Sequence, residues 1–452
     1  MPSGRWQALH LLGPLLEASG SAVNILQIRD AADVEAAVRA AIAGEQPLEI
    51  RGHGSKQSIG HAMATNAVLD VSALNAVTCY EPNELIITVQ AGAPLDDVLS
   101  LIDSKNQEFA FEPMDTAVLL GARSGRGTVG GMIGAGLAGP RRIKAGGARD
   151  HLLGAHAVSG FGDSFKAGGR VVKNVTGYDL CKLLAGSWGT LAVMTEVTLK
   201  VMPKAETERT LVLRGLDDVT ANRAMTAALG SPYDVSGAAH APHPALRAAA
   251  QGLAQGLAQG LAQGSARGAL AGLASTGQAA TLLRLEGIAA SVSHRATALA
   301  AELASFGTAE LIGGAESAAL WRDIRDVMPF AADGALGAWP VWRIVCPPAC
   351  GGAFGQALAR DTGGEVIYDW GGGLLWAALP PATDAHATML RRRLAAIGGH
   401  ATLLRADEGL RRTVDVFHPQ AKGVAALAER VRQSFDPKSI LNRGRLVRTS
   451  IS

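Results

Sequence analysis

The chain has 452 residues, 48% hydrophobic and 18% charged, which excludes a disordered tail. At roughly 100–200 residues per domain it predicts two or three domains. Forty-two Lys and Arg against 40 Asp and Glu leave +2, a balance that excludes a globally basic nucleic-acid binder. Four cysteines exclude a disulfide scaffold and fit a reducing compartment, and no apolar run reaches the about 18–20 residues of a spanning helix.

In chain order, residues 8–16 are apolar, but Gly13-Pro14 interrupts them and no small-x-small cleavage site follows. Residues 1–20 are therefore expected to be a cytosolic arm rather than an export signal. Asp30 caps a predicted helix whose face carries Val34, Val38 and Ile42 and which Gly44 ends. Predicted strands follow at 47–50, 67–71 and 85–89, and Pro94 opens a helix over 95–102. Residues 155–159 and 164–167 flank Gly160-Phe-Gly-Asp163, a hairpin signature. Residues 191–201 alternate apolar and polar and predict a half-buried strand, ended by Pro203, where a domain boundary is expected.

The second half opens differently. Gln-Gly-Leu-Ala repeats from Gln251 to Ala262 and predicts a low-complexity insertion near 251–270, flexible or weakly helical, because each helical Gly costs about 1 kcal/mol against Ala. Strands are expected near 281–285, 342–345 and 374–378. Val424, Leu427, Ala428, Val431 and Phe435 form a helical stripe stopped at Asp436-Pro437.

Two Gly-rich segments carry the chemistry. Arg51-Gly-His-Gly-Ser-Lys-Gln57 follows a predicted strand, and its backbone N–H groups suit a phosphate; the same spacing also suits an ordinary tight loop. It is neither a Walker loop nor Gly-x-Gly-x-x-Gly. Thr128-Val-Gly-Gly-Met-Ile-Gly-Ala-Gly136 adds a second segment able to approach a flat or extended ligand.

Together with Arg149-Asp150, Gly168-Gly169, Lys173-Asn174, Gly177-Tyr-Asp-Leu180, Gly189-Thr-Leu191 and residues 435–442, these segments resemble the vanillyl-alcohol oxidase and para-cresol methylhydroxylase (PCMH-type) flavoproteins. Gly136-Leu-Ala-Gly-Pro-Arg-Arg142, Val172-Lys-Asn-Val-Thr-Gly-Tyr-Asp179, Asp369-Trp-Gly-Gly372 and Gly398-Gly-His-Ala-Thr402 point, within that family, to the FAD-binding subunits of glycolate-oxidising complexes.

The resemblance implies an α+β fold: a PCMH-type FAD-binding domain of two α+β subdomains over 21–204 and a mixed α/β cap over 205–415. A C-terminal helix and tail over 416–452 would return to the FAD domain. It implies FAD held by Arg51, Gly52, His53, Gly54, Ser55, Lys56 and Gln57 as a pyrophosphate loop. Thr128, Val129, Gly130, Gly131 and Met132 would lie along the flavin and diphosphate, with Pro113, Gly136, Arg149, Val193 and Thr195 as further cofactor contacts. A side chain at the loop glycines is expected to cost binding more than folding. Some relatives link flavin through a histidine just before the loop serine; Gly54 stands there, so FAD is expected to be non-covalent.

No metal-binding cluster is found; His400 stands alone, and His240 and His243 are expected in a loop. Arg141, Arg142, Lys144 and Arg149 are candidate cations for a substrate carboxylate, and equally for loop solvation, flavin phosphate or a subunit interface. No general base is identified. With no run of clustered cysteines, the chain is expected to hold no iron–sulfur cluster. The resemblance then implies a subunit oxidising glycolate to glyoxylate, with a homologous FAD subunit and an iron–sulfur subunit as partners. Any membrane association would be peripheral, at the inner membrane, through a partner. A self-sufficient 2-hydroxy-acid or alcohol dehydrogenase and a non-catalytic scaffold remain the alternatives.

Overall fold

The computed structural model describes residues 23–63, 65, 67–122, 125, 127–169, 178–258 and 268–448. The expected arm over 1–20, Lys173-Asn174, Gly177 and the later part of the Gln-Gly-Leu-Ala repeat lie outside them.

The chain begins with a small parallel sheet. Asn24–Gln27 and Leu48–Arg51 flank Ala67–Asp70. The helix Ala31–Ala43 covers it, with Asp30 accepting from the Asp33 N–H and Val34, Ala37, Val38 and Ala41 buried. A five-stranded antiparallel sheet follows, in the order Val77–Glu81, Ile86–Gln90, Ala192–Lys200, Leu152–Ser159, Ser164–Gly168. Ala192–Lys200 was expected to be half-buried, yet only Glu196 and Lys200 escape full burial. It is the middle strand of the sheet, with Val193 in the core shared with the parallel sheet and Val197 and Leu199 in the core beneath. A strand covered on both faces gains nothing from polar alternation, and Thr195 and Thr198 are accommodated by hydrogen bonds to the His156 carbonyl and Thr88.

From Thr207 every strand joins one eight-stranded antiparallel sheet. Its order is Ala309–Gly313, Thr207–Arg214, Ala280–Gly287, Gly237–Ala241, Glu365–Asp369, Leu374–Ala378, Val341–Val345, His400–Arg405. Its register separates the two faces. Tyr368, Leu375, Ile344 and Ala401 form one cross-strand row, within a core closed by helices such as Ala289–Glu302 and Ala387–Ile397. The neighbouring row, Ile367, Trp376, Arg343 and Thr402, points the other way, because side chains alternate along each strand. That second face packs on Ile59, Met114, Leu119 and Leu137 of the first half.

His240 is not in a loop but within Gly237–Ala241, fully buried, with Nδ1 against Thr281 Oγ1 at 2.9 Å and Nε2 3.4 Å from Asp218. His243 begins the helix His243–Ala258, which absorbs the first two Gln-Gly-Leu-Ala units. The stripe on Lys422–Phe435 is packed only at its C-terminal end, by Val431 and Phe435; Val424 and Leu427 are exposed.

Past that helix the chain returns to the parallel sheet. Buried Asp436 accepts from the Ile440 and Leu441 N–H groups, and the Leu48 and Asn442 N–H groups bond the Ile440 and Leu48 carbonyls.

Candidate functional site

The loop 51–57 leaves the end of Leu48–Arg51 and lies against residues 127–131. Glycine makes that approach possible. A Cβ on Gly52 would stand 2.6 Å from Thr128 Cγ2, one on Gly127 would stand 2.2 Å from Ser55 Oγ, and one on Gly130 would stand 2.8 Å from Ala91. Gly54 has open space but a φ of +72°. These glycines thus serve close packing of the loop as well as approach to a ligand.

The second segment is the helix Val129–Ala135, capped by Thr128 Oγ1 accepting from the Gly131 N–H. The Val129 and Gly130 N–H groups bond the Ala93 and Ala91 carbonyls. This helix therefore presents a close-packed wall, whereas the His53, Gly54 and Ser55 N–H groups donate to no described residue.

Together they form a cleft lined by all seven residues 51–57, by Thr128, Gly130 and Gly131, and also by Trp188, Gly189, Asn442 and Arg445. Burial pushes Lys56 down to about 8 despite the nearby Asp115 carboxylate. Burial likewise pulls Arg445 down to about 10; its Nη2 donates to the Lys56 carbonyl at 2.7 Å, and its buried Nε has no partner among the described residues. Unbonded loop N–H groups and an unsatisfied buried guanidinium edge fit a diphosphate, so the residues present suit FAD. The sequence reading missed Asn442 and Arg445, which only the returning tail brings to the cleft.

The remaining expected cofactor contacts lie elsewhere. Val129, Met132 and Val193 are buried in the cores, and Thr195 bonds the His156 carbonyl. Gly136 ends the helix at φ +62° against Gly186, Arg149 is exposed, and Pro113 lines a separate cavity.

That cavity, about 620 Å³, lies at the seam of the two halves. In it Arg284 makes a two-pronged pair with Glu112 at 2.8 and 3.0 Å, and Arg141 binds Glu108 and Glu286. Burial would raise Glu112, but Arg284 and Arg141 hold it down at about 2. Arg141 is thus committed to carboxylates, and Lys144 pairs with Asp234. Arg142 alone of the four candidate cations lies over the Trp370 ring, 4.5 Å from its centre.

Trp370 Nε1 donates to the Gly139 carbonyl at 3.0 Å. Arg343 lies 5.1 Å from the same ring. His400 is not alone, since its ring centre is 6.5 Å from that of His418. Burial, then Arg343 and His418, push His400 below its usual value, so it is neutral at pH 7. Burial pushes Asp369 up to about 7. Among the described residues no group of three or more His, Cys, Asp or Glu could hold a metal.

Residues 23–168 match the model of the FAD binding domain. Over 415 residues, 90% of this chain and 95% of that protein, the sequence is 31% identical to the glycolate oxidase subunit GlcE of Escherichia coli (strain K12). It is 32% identical over 167 residues, 37% of this chain and 34% of the other, to the glycolate oxidase subunit GlcD of Bacillus subtilis (strain 168). Among solved structures, 4-ethylphenol oxidase from Gulosibacter chungangensis superposes with a TM-score of 0.68 at 14% identity, covering 95% of this chain and 90% of that one. A p-cresol methylhydroxylase superposes with a TM-score of 0.66 at 13% identity, covering 94% and 88%.

Proposed function

Because the chain belongs to the family of the FAD-binding glycolate oxidase subunit GlcE, we propose that it is the FAD-carrying subunit of a glycolate-oxidising complex. In this reading glycolate becomes glyoxylate, and the electrons leave through an iron–sulfur partner, with a homologous FAD subunit alongside. The observation that carries it is the cleft at 51–57, where Arg445 is buried beside a loop whose His53, Gly54 and Ser55 N–H groups find no acceptor among the described residues. The buried Arg445 Nε has no partner among the described residues, and an anionic cofactor would satisfy it. The interlocked glycines alone would not separate a flavoprotein from a scaffold, since they also serve the fold.

When bound, the flavin supplies the two-electron acceptor for a hydroxy-acid C–H bond. The chain's own residues bind and orient. The N–H groups of His53, Gly54 and Ser55, with Lys56 and Arg445, hold the diphosphate. Gly52, Gly127 and Gly130 let the loop close on the capped helix. Gly54 before Ser55 leaves no histidine there for a covalent link, so the cofactor is held non-covalently. We divide the chain into a FAD-binding domain over 21–204, a cap over 205–415 and a returning segment over 416–452. Among the described residues no helix is long and apolar enough to cross a membrane. We place the complex in the cytoplasm, with any membrane contact made through a partner.

The test is the visible spectrum of the purified chain, followed by anaerobic addition of glycolate to the chain alone and to the chain co-expressed with its partners. Flavin absorbance with bleaching only in the complex is the expected result. Bleaching by the chain alone would establish a self-sufficient dehydrogenase, and no flavin under any condition would refute the assignment.

A further inference from the structure

Resting on the flavoprotein reading above, we propose that Arg343, with Arg142 and Trp370, forms a subsite in this chain for the carboxylate of a small 2-hydroxy acid. Arg343 stands in the middle of Val341–Val345, the second strand from one edge of the sheet, between Trp376 and Thr402 in the cross-strand row that faces the FAD-binding half. Other arginines at this seam have evident structural work. Arg141 and Arg284 are tied to Glu108, Glu112 and Glu286, and Arg325 to Asp326. Arg405 binds the carbonyls of Leu119, Phe330, Leu336 and Trp339.

Arg343 has none of this. Among the described residues no carboxylate lies within ion-pair distance of it, and its recorded contact is the Trp370 ring. Burial, with Arg142 adding to it, pulls its pKa down to about 10. The carboxylate that acts on it, Asp369, is itself pushed up to about 7 and is turned to the Trp370 N–H at 2.7 Å. Arg343 is half-buried and none of its nitrogens is both buried and unbonded, so its guanidinium is open to an anion, and the repulsion from Arg142 favours one between them.

Arg142 brings a second guanidinium to the same ring from the other half of the molecule, so an anion here would join the two halves. His400, across the sheet and neutral, adds polarity without a competing negative charge. Trp370 ties the subsite to the FAD-binding half, because its indole donates to the carbonyl of Gly139, four residues past the end of the capped helix at Ala135. A guanidinium fork and a flat ring suit a planar carboxylate on a short chain.

Calorimetric titration of the full chain, with and without added FAD, tests this. The probes are oxalate, which keeps the carboxylate but has no C–H bond to oxidise, and glycolamide, which keeps the hydroxyl but not the charge. Native protein is expected to bind oxalate in preference to glycolamide. Arg343→Gln should weaken oxalate by about tenfold to a hundredfold, Arg142→Gln by less, and Arg343→Lys should restore part of the loss. Arg343→Met should melt at or above the native temperature, since it removes one of two guanidiniums that repel each other, and flavin content should be unchanged in every variant.

Equal oxalate affinity in native and Arg343→Gln protein overturns the proposal, as does a native chain that retains flavin and binds no oxalate; the flavin reading survives both. Unchanged oxalate affinity with a shifted flavin potential also overturns it and assigns the cation to the ring. A chain that never holds flavin yet binds oxalate through Arg343 would keep the subsite and refute the function.

Discussion

Replacing Gly52 by Ala places a methyl 2.6 Å from Thr128 Cγ2 and 2.7 Å from Thr128 Oγ1. Neither contact is sustainable, so Thr128 must turn or the loop must retreat. Turning Thr128 releases its cap on the Gly131 N–H, worth about 1 kcal/mol, and overpacking adds about 1–3 kcal/mol if the loop resists. We therefore expect Gly52→Ala to destabilise the chain by about 2–4 kcal/mol. Thr128→Ala alone should cost about 1 kcal/mol, the lost cap. In the double variant the two nearest clashing atoms are gone and a Cβ contact at 3.2 Å remains, so the penalties should not add. Urea unfolding of the four proteins at one fixed FAD concentration measures this cycle, with flavin absorbance recorded separately for binding. Strict additivity would refute the reasoning, because it would mean that Gly52 is required by something other than Thr128.

Lys56, with a pKa of about 8, should make FAD affinity fall as pH rises above 8, and Lys56→Arg should flatten that fall; FAD titrations across pH read it directly. Glu112 is held at about 2 against a usual 4.5, so the stability it contributes is present above pH 4.5 and is lost as pH falls toward 2. Asp369 runs oppositely. Its native pKa of about 7 exceeds the usual 3.8, so it costs stability as pH rises from 4 to 7, and Asp369→Asn should flatten thermal stability across that window. Asp436→Ala should leave the buried Ile440 and Leu441 N–H groups without acceptors, costing about 2–5 kcal/mol and exposing the tail to limited proteolysis.

Much of this was legible in the sequence because local chemistry dictated it. Asp30 and Gly44 bound their helix, Gly160-Phe-Gly-Asp163 turns its hairpin, and the 51–57 loop and Thr128 meet in one cleft. Sequence reading failed where distant segments decide. Strand 192–200 alternates in composition but is sandwiched between two cores. His240 beside Pro242 looked like loop chemistry, yet Thr281 and Asp218, far away in the chain, give it a buried place in a strand. Arg343 carries no motif at all; its interest comes from sharing the Trp370 ring with Arg142 while no carboxylate among the described residues pairs with it, and a sequence does not display such a juxtaposition.

The returning tail has a consequence for how the protein matures. Asn442 and Arg445 complete a cleft whose loop lies almost four hundred residues earlier, and Leu48 is hydrogen-bonded to the Ile440 carbonyl. During synthesis the FAD-binding half can form its sheets long before this segment leaves the ribosome, but its cleft lacks one wall and one cation until then. On the proposed site, tight cofactor capture is expected to be a late event, following synthesis through residue 445 and docking of the tail.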